Sequence, residues 1–110
     1  MTINQPERKP EMTEKTLYNS DVSEARTNVP DIKVVGEGDT FLLLCKASSQ
    51  NEGWMKSTKA MEIPSVGCVV QVTTQQRNPD GSYAVAEALT FVPGTRVVGD
   101  INGGRMLVVD

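Results

Sequence analysis

The sequence predicts a mainly β protein: a small antiparallel barrel or sandwich of about six strands, with a flexible N-terminal arm. Three observations support this fold class. The composition changes at residue 31 from polar and proline-containing to apolar, two long apolar runs flank the turn sequence RNPDG, and a shorter pair flanks Asn102-Gly103-Gly104. Short apolar runs separated by turn residues are typical of strands in an antiparallel fold. We therefore expect one compact β domain over residues 31–110 and an arm over residues 1–30.

The N-terminal segment lacks the apolar side chains that a core needs. Residues 1–30 contain three prolines among many polar and charged residues, a composition that cannot bury enough surface to offset the entropy of ordering. Residues 12–26 have a weak helical period that Asp21 interrupts. The apolar positions of that weak period are Leu17, Val22 and Ala25. We expect this segment to be disordered or to form a helix on a partner.

Residues 31–46 are expected to form the first hairpin of the domain. Residues 31–35 are rich in β-branched side chains, Gly36-Glu37-Gly38-Asp39 is a turn cluster, and residues 40–46 are an apolar run of strand length. At strand period Leu43 and Cys45 face one side, with Phe41, while Leu42 and Leu44 face the other. This alternation predicts a strand that is covered on both faces, near the centre of the fold.

Residues 54–63 fit two periods equally well. At strand period, one side carries Trp54, Lys56, Thr58, Ala60 and Glu62; at helical spacing, Trp54, Thr58 and Met61 align instead. An α+β fold with a short helix near residues 54–62 therefore stays open beside the all-β fold. Pro64 and Gly67 end the element in either case.

The strongest local pattern is the run CVVQVTTQQ, the turn RNPDG and the run SYAVAEALTFV. Proline presets φ in such a turn and glycine is free to take a positive φ, so two long paired strands are predicted. In the second strand Tyr83, Val85, Leu89 and Phe91 share one side with Glu87, and three alanines share the other. The C-terminal runs predict a smaller hairpin over residues 96–109.

Composition excludes several kinds of function. The chain has 11 basic and 14 acidic residues, a net charge of −3 and no histidine. Nucleic acid is therefore not an expected partner, and the commonest side chain of proton transfer and zinc binding is missing. No apolar run reaches the roughly 18 residues of a membrane span, and the N-terminus lacks a signal peptide. We predict a cytoplasmic protein that does not bind membranes, with no catalytic residue, no cofactor and no metal site.

Residues 53–70 read GWMKSTKAMEIPSVGCVV and hold most of the candidate reactive groups. Ser57 and Lys59 could share a strand face, but a solvated polar strand or helix is the favoured interpretation. Cys45 and Cys68 are expected to be buried, reduced thiols. Glu87 would be a functional carboxylate with a raised pKa if it were buried, whereas a sheet edge or an ion pair with a lysine is the favoured position.

Trp54 is the only tryptophan and follows Gly53 directly. Large aromatic side chains dominate the energies of protein interfaces, so Trp54 is a candidate anchor for a partner, although burial at a loop-to-strand junction is an equal alternative. The predicted partner-binding residues are Leu17, Tyr18, Trp54, Met55, Lys56 and Lys59.

The runs GWMKSTKAMEI, GCVVQVTTQQ and AVAEALTFVPG resemble small uncharacterised accessory proteins encoded by large tailed bacteriophages of the T4 type. The resemblance covers about residues 40–98 and carries no catalytic motif. It implies a protein made in the cytoplasm of an infected bacterium, which either modulates a host component or attaches to the virion.

These observations together predict a non-enzymatic accessory protein of phage type. It would bind a host or viral protein through a surface around Trp54 and the N-terminal arm. Three alternatives stay open. The first is a virion-associated or self-assembling structural protein, in which strand edges or the arm join a homo-oligomer, and the second is a protein that sequesters a small molecule between subunits. The third is an enzyme that uses Cys68, Lys59 or Glu87.

Overall fold

The structure is a computed structural model that describes residues 19–100 and 102–110. The chain divides into two compact units, Met1–Asp39 and Thr40–Asp110. Of the first unit, residues 19–39 are described. The predicted arm over residues 1–30 therefore lies largely outside the described residues, and the predicted boundary after residue 30 stays a prediction.

Among residues 19–39, the first unit contains the short helix α1 (Val22–Asn28). Asp21 is its N-cap, and its carboxylate accepts a hydrogen bond of 2.7 Å from the amide of Glu24. The carboxylate of Asp39 accepts from the amides of Val22 (2.6 Å) and Ser23 (3.1 Å). Two carboxylates thus satisfy the free amides of the first turn. Asp21 therefore caps the start of this helix instead of interrupting one, and the flexible arm over residues 1–30 stays a prediction.

The second unit contains six strands, which belong to two sheets. Four of them form an antiparallel sheet in the order of the chain, β1-β2-β3-β4, and the last two form a separate antiparallel pair that we call the C-terminal ribbon. The strands are β1 (Leu42–Ser49), β2 (Trp54–Ile63), β3 (Gly67–Arg77), β4 (Tyr83–Pro93), β5 (Thr95–Val98) and β6 (Met106–Val109).

The prediction of a mainly β protein is confirmed. Residues 54–63 form strand β2, so the alternative fold with a helix at that place is wrong. The β-branched neighbours that β2 finds in β3, such as Val70, Val72 and Thr74, decide between the two periods, because cross-strand packing outweighs a weak local preference. Within the described part of the chain the large sheet stays open, with β1 and β4 as its edges, and does not close into a barrel.

The predicted hairpin over residues 31–46 is wrong. Residues 31–35 form no strand, and β1 pairs only with β2 among the described residues. As the first strand of the sheet, β1 lies at its edge and not at the centre. A β-bulge between Leu43 and Cys45 also shifts the alternation, so that Leu43 pairs with Lys59 while Cys45 pairs with Thr58. The two side chains consequently face opposite sides of the sheet, and Cys45 is exposed.

The hairpin of β3 and β4 is confirmed. Its turn is closed by a hydrogen bond of 2.7 Å from the amide of Asn78 to the carbonyl of Ser82, and Gly81 takes a φ of +89°. The carboxylate of Asp80 accepts from the hydroxyl (2.6 Å) and the amide (2.9 Å) of Ser82. These bonds fix the register of eleven residue pairs between the two strands.

The C-terminal ribbon, which confirms the predicted terminal hairpin, lies against β2 and β3. Strand β5 makes these contacts, and Cys68 of β3 is 0% exposed. The Cys68 thiol lies 3.5 Å from the carbonyl oxygen of Thr95, and the amide of Val97 donates to the Glu62 carboxylate over 2.8 Å. The ribbon therefore lies over the end of the sheet face that carries Glu62 and Cys68.

Gly67 lies where β3 begins, and replacing it with alanine should destabilise the fold. A Cβ at this position would stand 2.5 Å from the Val92 carbonyl oxygen and 2.8 Å from the Pro93 Cα, and φ is +155°. Because backbone atoms cannot move aside cheaply, we expect Gly67→Ala to lower the free energy of unfolding by about 2 kcal/mol or more. Urea denaturation measures this difference. Gly103→Ala is the control, since its nearest neighbour is 3.6 Å away; equal stability of the two variants would contradict the close approach of β3 and β4.

The turn at Asp80 predicts a pH effect. The hydrogen bonds from Ser82, first from its hydroxyl and then from its amide, hold the pKa of the Asp80 carboxyl below its ordinary value of 3.8. Because the pKa of Asp80 is lower in the folded protein than in the unfolded chain, the ionised carboxylate stabilises the fold at pH values above the unfolded-state pKa. This contribution disappears as the pH falls through the folded-state pKa. An NMR titration should place the Asp80 midpoint below 3.8, and Ser82→Ala should return it toward that value.

Candidate protein-binding surface

Strand β4 is the most exposed element of the large sheet. It is 11 residues long, and every side chain except that of Val92 is exposed. Within the described residues no strand pairs with its outer edge. Its outward-facing amides and carbonyls therefore form a template to which another strand can add.

One face of β4 carries a row of large apolar side chains, which we call the β4 apolar row: Tyr83, Val85, Leu89 and Phe91. Their exposed fractions are 36%, 56%, 63% and 46%. Glu87 lies in the middle of the row and is exposed as well. Alternate residues of a strand share a face, so these side chains line one side of the strand. The sequence prediction for this strand is confirmed, and the structure adds that the row is open to solvent.

The two edges of the sheet differ in how they meet solvent. Edge β1 carries the bulge at Leu43 and Cys45 and the charged side chain of Lys46, both of which discourage pairing with another chain. Edge β4 pairs with β3 in an unbroken register and contains no lysine. Its only charge is Glu87, and its only proline is the last residue, Pro93. The features that usually prevent a sheet edge from pairing with another chain are thus concentrated on β1.

A polar row crosses the sheet and ends at Glu87. Ser57 pairs with Thr73, and Thr73 pairs with Glu87. The side chains of Ser57 and Thr73 are 7% and 8% exposed, and the Thr73 hydroxyl donates to the Glu87 carboxylate over 3.2 Å. Glu87 is therefore anchored at a sheet edge, the favoured position of the sequence analysis. Glu87 is exposed, so it is not the buried carboxylate that the functional interpretation requires.

The predicted partner-binding residues of β2 are divided between the two faces of the sheet. Trp54 and Lys56 lie on one face, and Met55 and Lys59 lie on the other. Met55 is buried at 8% exposure, whereas Lys56 is exposed and Trp54 is half-buried. The Trp54 indole donates to the Glu52 carboxylate over 3.0 Å. The structure thus brings Trp54 and Lys56 together and separates them from the other pair. Their role as partner contacts stays a prediction.

The other two predicted partner-binding residues, Leu17 and Tyr18, lie outside the described residues. Their role as contacts also stays a prediction.

A shallow groove runs along the face that carries Trp54, between β1, β2 and β3. Its lining residues are Cys45, Lys46, Ala47, Lys56, Ser57, Thr58, Val72 and Thr74. The groove is open to solvent. Cys45 in this groove pairs with Thr58 whereas Cys68 pairs with Glu62, so the two thiols are not adjacent.

The β4 surface is a binding candidate that sequence reasoning did not identify. The alternation of Tyr83, Val85, Leu89 and Phe91 is visible in the sequence, but the sequence does not show whether this face is covered. The available signal was the absence of any strand-length run that could pair with β4 after Pro93. The short run after Gly94 pairs with the run at the C-terminus instead.

Among residues 19–100 and 102–110, no helix has the length and apolar character to cross a membrane. In the same ranges, no group of three or more cysteine and acidic side chains is arranged to hold a metal ion.

The two thiols should differ in accessibility to a thiol reagent. Cys45 is exposed and Cys68 is 0% exposed beneath the C-terminal ribbon. We expect one rapid reaction in the native protein and a second only when the ribbon detaches or the sheet unfolds. Peptide mapping should place the rapid label on Cys45, and Cys45→Ser should abolish the fast phase. Equal rates for the two thiols would contradict the placement of the ribbon over Cys68.

Comparison with protein families identifies the family of this chain. A model described as the Lockin family matches residues 12–108, which is most of the chain. No curated protein and no solved structure matches the chain.

Proposed function

The chain belongs to the Lockin family, and we propose that it is a non-enzymatic protein-binding module whose principal binding surface is the exposed edge and apolar row of β4. In line with the resemblance to phage accessory proteins, the proposed setting is the cytoplasm of an infected bacterium, with a host or viral protein as the target. The observation that carries the proposal is the exposure of all but one of the 11 side chains of β4.

The chemistry of β4 favours a protein partner. A strand edge offers alternating amide donors and carbonyl acceptors, which match the main chain of another extended segment. The β4 apolar row then supplies side-chain contacts on one face. With Glu87 as the only charge of the strand and a net charge of −3 for the chain, the surface has no positive field for a phosphate backbone.

Trp54 and Lys56 form a second candidate contact on the opposite face of the sheet. The indole is half-buried and is held by Glu52, so its orientation is fixed before a partner arrives. A preoriented aromatic side chain loses little entropy on binding. We propose that this pair adds to target binding, as the sequence analysis expects for the surface around Trp54.

Affinity capture from bacterial lysate tests the proposed function. Tagged wild-type protein and the variants Leu89→Lys and Trp54→Ala are compared, and retained proteins are identified by mass spectrometry. Leu89→Lys places a charge in the β4 apolar row, so we expect the affinity for a stoichiometric partner to fall about 30-fold or more, as for hot-spot residues that contribute about 2 kcal/mol.

Met106→Lys is the matched control for the capture experiment. Met106 is 58% exposed and Leu89 is 63% exposed, but Met106 lies on β6, which belongs to the C-terminal ribbon and not to the large sheet. Retention by Met106→Lys together with loss by Leu89→Lys supports the proposal. A partner that both lysine variants retain equally would contradict β4 as the principal binding surface. Loss with Trp54→Ala alone would assign the binding to the opposite face.

A further inference from the structure

We propose that the shallow groove between β1, β2 and β3, which we call the Lys56 groove, binds a carboxylate group carried on an apolar body. The ammonium of Lys56 is the counter-charge, and an aspartate or glutamate side chain of the protein target is the expected source of the carboxylate. The inference rests on the proposed function in one respect, which is that the target contacts the face of the sheet that carries Trp54. It adds the chemistry that this face recognises.

The register of three strands brings the groove side chains together. Lys56 of β2 pairs with Ala47 of β1 and with Thr74 of β3. Paired residues share a face of a sheet, as do residues two apart on one strand. The lining side chains that share this face are those of Cys45, Ala47, Lys56, Thr58, Val72 and Thr74. One cation, two hydroxyls and one thiol therefore lie beside small apolar side chains.

No neighbouring carboxylate neutralises the Lys56 ammonium. Within the described part of the chain, this side chain makes no hydrogen bond and no ion pair. The Glu52 carboxylate accepts from the Trp54 indole. The Glu62 carboxylate accepts from the amide of Val97. Because Lys56 is exposed as well, its charge is open to an anion from outside, even though the chain has a net charge of −3.

Two threonine hydroxyls add hydrogen-bond donors to this charge. Thr74 lies directly opposite Lys56, and the Cβ atoms of such a pair are about 4.5 to 5.5 Å apart. Thr58 is two residues further along β2, and neither hydroxyl has a partner among the described residues. An exposed ion pair contributes little by itself. A carboxylate has two accepting oxygens, so it can accept from the ammonium and from a hydroxyl at the same time.

The Lys56 groove lacks the usual features of a phosphate site. Such sites commonly use arginine side chains, helix N-termini or a nest of successive main-chain amides. No arginine is among the residues that line the groove. The main chain of β2 lies between β1 and β3 and pairs with both, so its amides belong to the ladders. A single cation with two hydroxyls matches the single charge of a carboxylate better than the higher charge of a phosphate.

The apolar part of the groove determines what accompanies the carboxylate. Val72 is 45% exposed and Ala47 is exposed beside it, so both offer apolar surface to a ligand. The groove encloses about 270 Å³, which is below the roughly 300 to 1,000 Å³ of sites for drug-sized ligands. An acidic side chain with an apolar neighbour therefore fits better than a large cofactor. Trp54, two residues from Lys56 on the same face, extends the apolar surface at one end.

Titration of the full chain with phenylacetate, followed by NMR, tests the inference. Phenylacetate joins a carboxylate to an apolar ring, and phenylacetamide is the neutral control of similar shape. We expect phenylacetate to shift the amide signals of Lys56, Thr58 and Thr74. Lys56→Gln should raise the dissociation constant about fivefold, the upper range for an exposed ion pair.

Lys59→Gln is the matched control variant for this titration. Lys59 lies on the opposite face of the sheet, and its replacement changes the net charge by the same amount, so the affinity for phenylacetate should stay the same. The inference is overturned if phenylacetate causes no shift at the groove residues. Equal affinity for phenylacetate and phenylacetamide, or equal effects of the two lysine variants, overturns it as well.

The thiol of Cys45 reports on the groove independently of the NMR signals. Cys45 is exposed and lines the groove, so a bound carboxylate should slow its reaction with the neutral reagent iodoacetamide. We expect phenylacetate to protect Cys45, phenylacetamide to give no protection, and Lys56→Gln to remove the protection. A Cys45 rate that saturating phenylacetate leaves unchanged places the ligand elsewhere and overturns the inference.

The capture experiment separates the two sources of a carboxylate and the two proposals. Loss of the captured target with Lys56→Gln, and its retention by Lys59→Gln, assigns the carboxylate to an acidic side chain of that target. Phenylacetate binding in the groove without any captured protein overturns the proposed function and assigns the groove to a small-molecule carboxylate. Capture that depends on Leu89, with no phenylacetate binding and no effect of Lys56→Gln, overturns the carboxylate site and leaves the proposed function intact.

Discussion

The unbroken antiparallel pairing of β3 with β4 is the interaction on which the rest of the structure depends. The turn from Asn78 to Ser82 sets its register, and the ladder then runs from the pair Arg77–Tyr83 to the pair Gly67–Pro93. Because the side-chain period of a strand is two, a slip of one residue would move Leu89 and Phe91 to the other face. The same register places Glu87 beside Thr73 and keeps the apolar row on one side.

The path of the chain after β4 explains why that strand stays exposed. Gly94 turns the chain into β5, whose partner is β6, and the resulting ribbon lies against β2 and β3. The ribbon therefore contacts the buried Cys68, whereas the outer edge of β4 has no pairing strand among the described residues. An edge strand with apolar side chains and few protective features is a liability in an isolated monomer. Pairing with another strand removes that liability, which links the packing of the ribbon to the proposed binding function.

The local patterns of the sequence predicted the two C-terminal hairpins well, because their turns hold the strands close along the chain. Prediction failed for residues 31–46, where the pairing partner of β1 is the following strand and not the preceding run. It also failed for Cys45, because a bulge reverses the alternation and no single-sequence pattern marks that bulge. For the candidate surface, the apolar alternation of β4 was evident in the sequence, but its exposure was not.

The sequence by itself determined the strand periods, the turn at Asn78-Pro79-Asp80-Gly81 and the side chains that share each face of β4. These properties depend on residues within a few positions of one another, and backbone stereochemistry is sufficient to fix them. Only the tertiary structure decided which strands are edges, why Cys68 is buried while Cys45 is exposed, and that the β4 apolar row is open to solvent. Burial depends on which distant segment covers a face, and that choice is made by contacts between residues far apart in the chain.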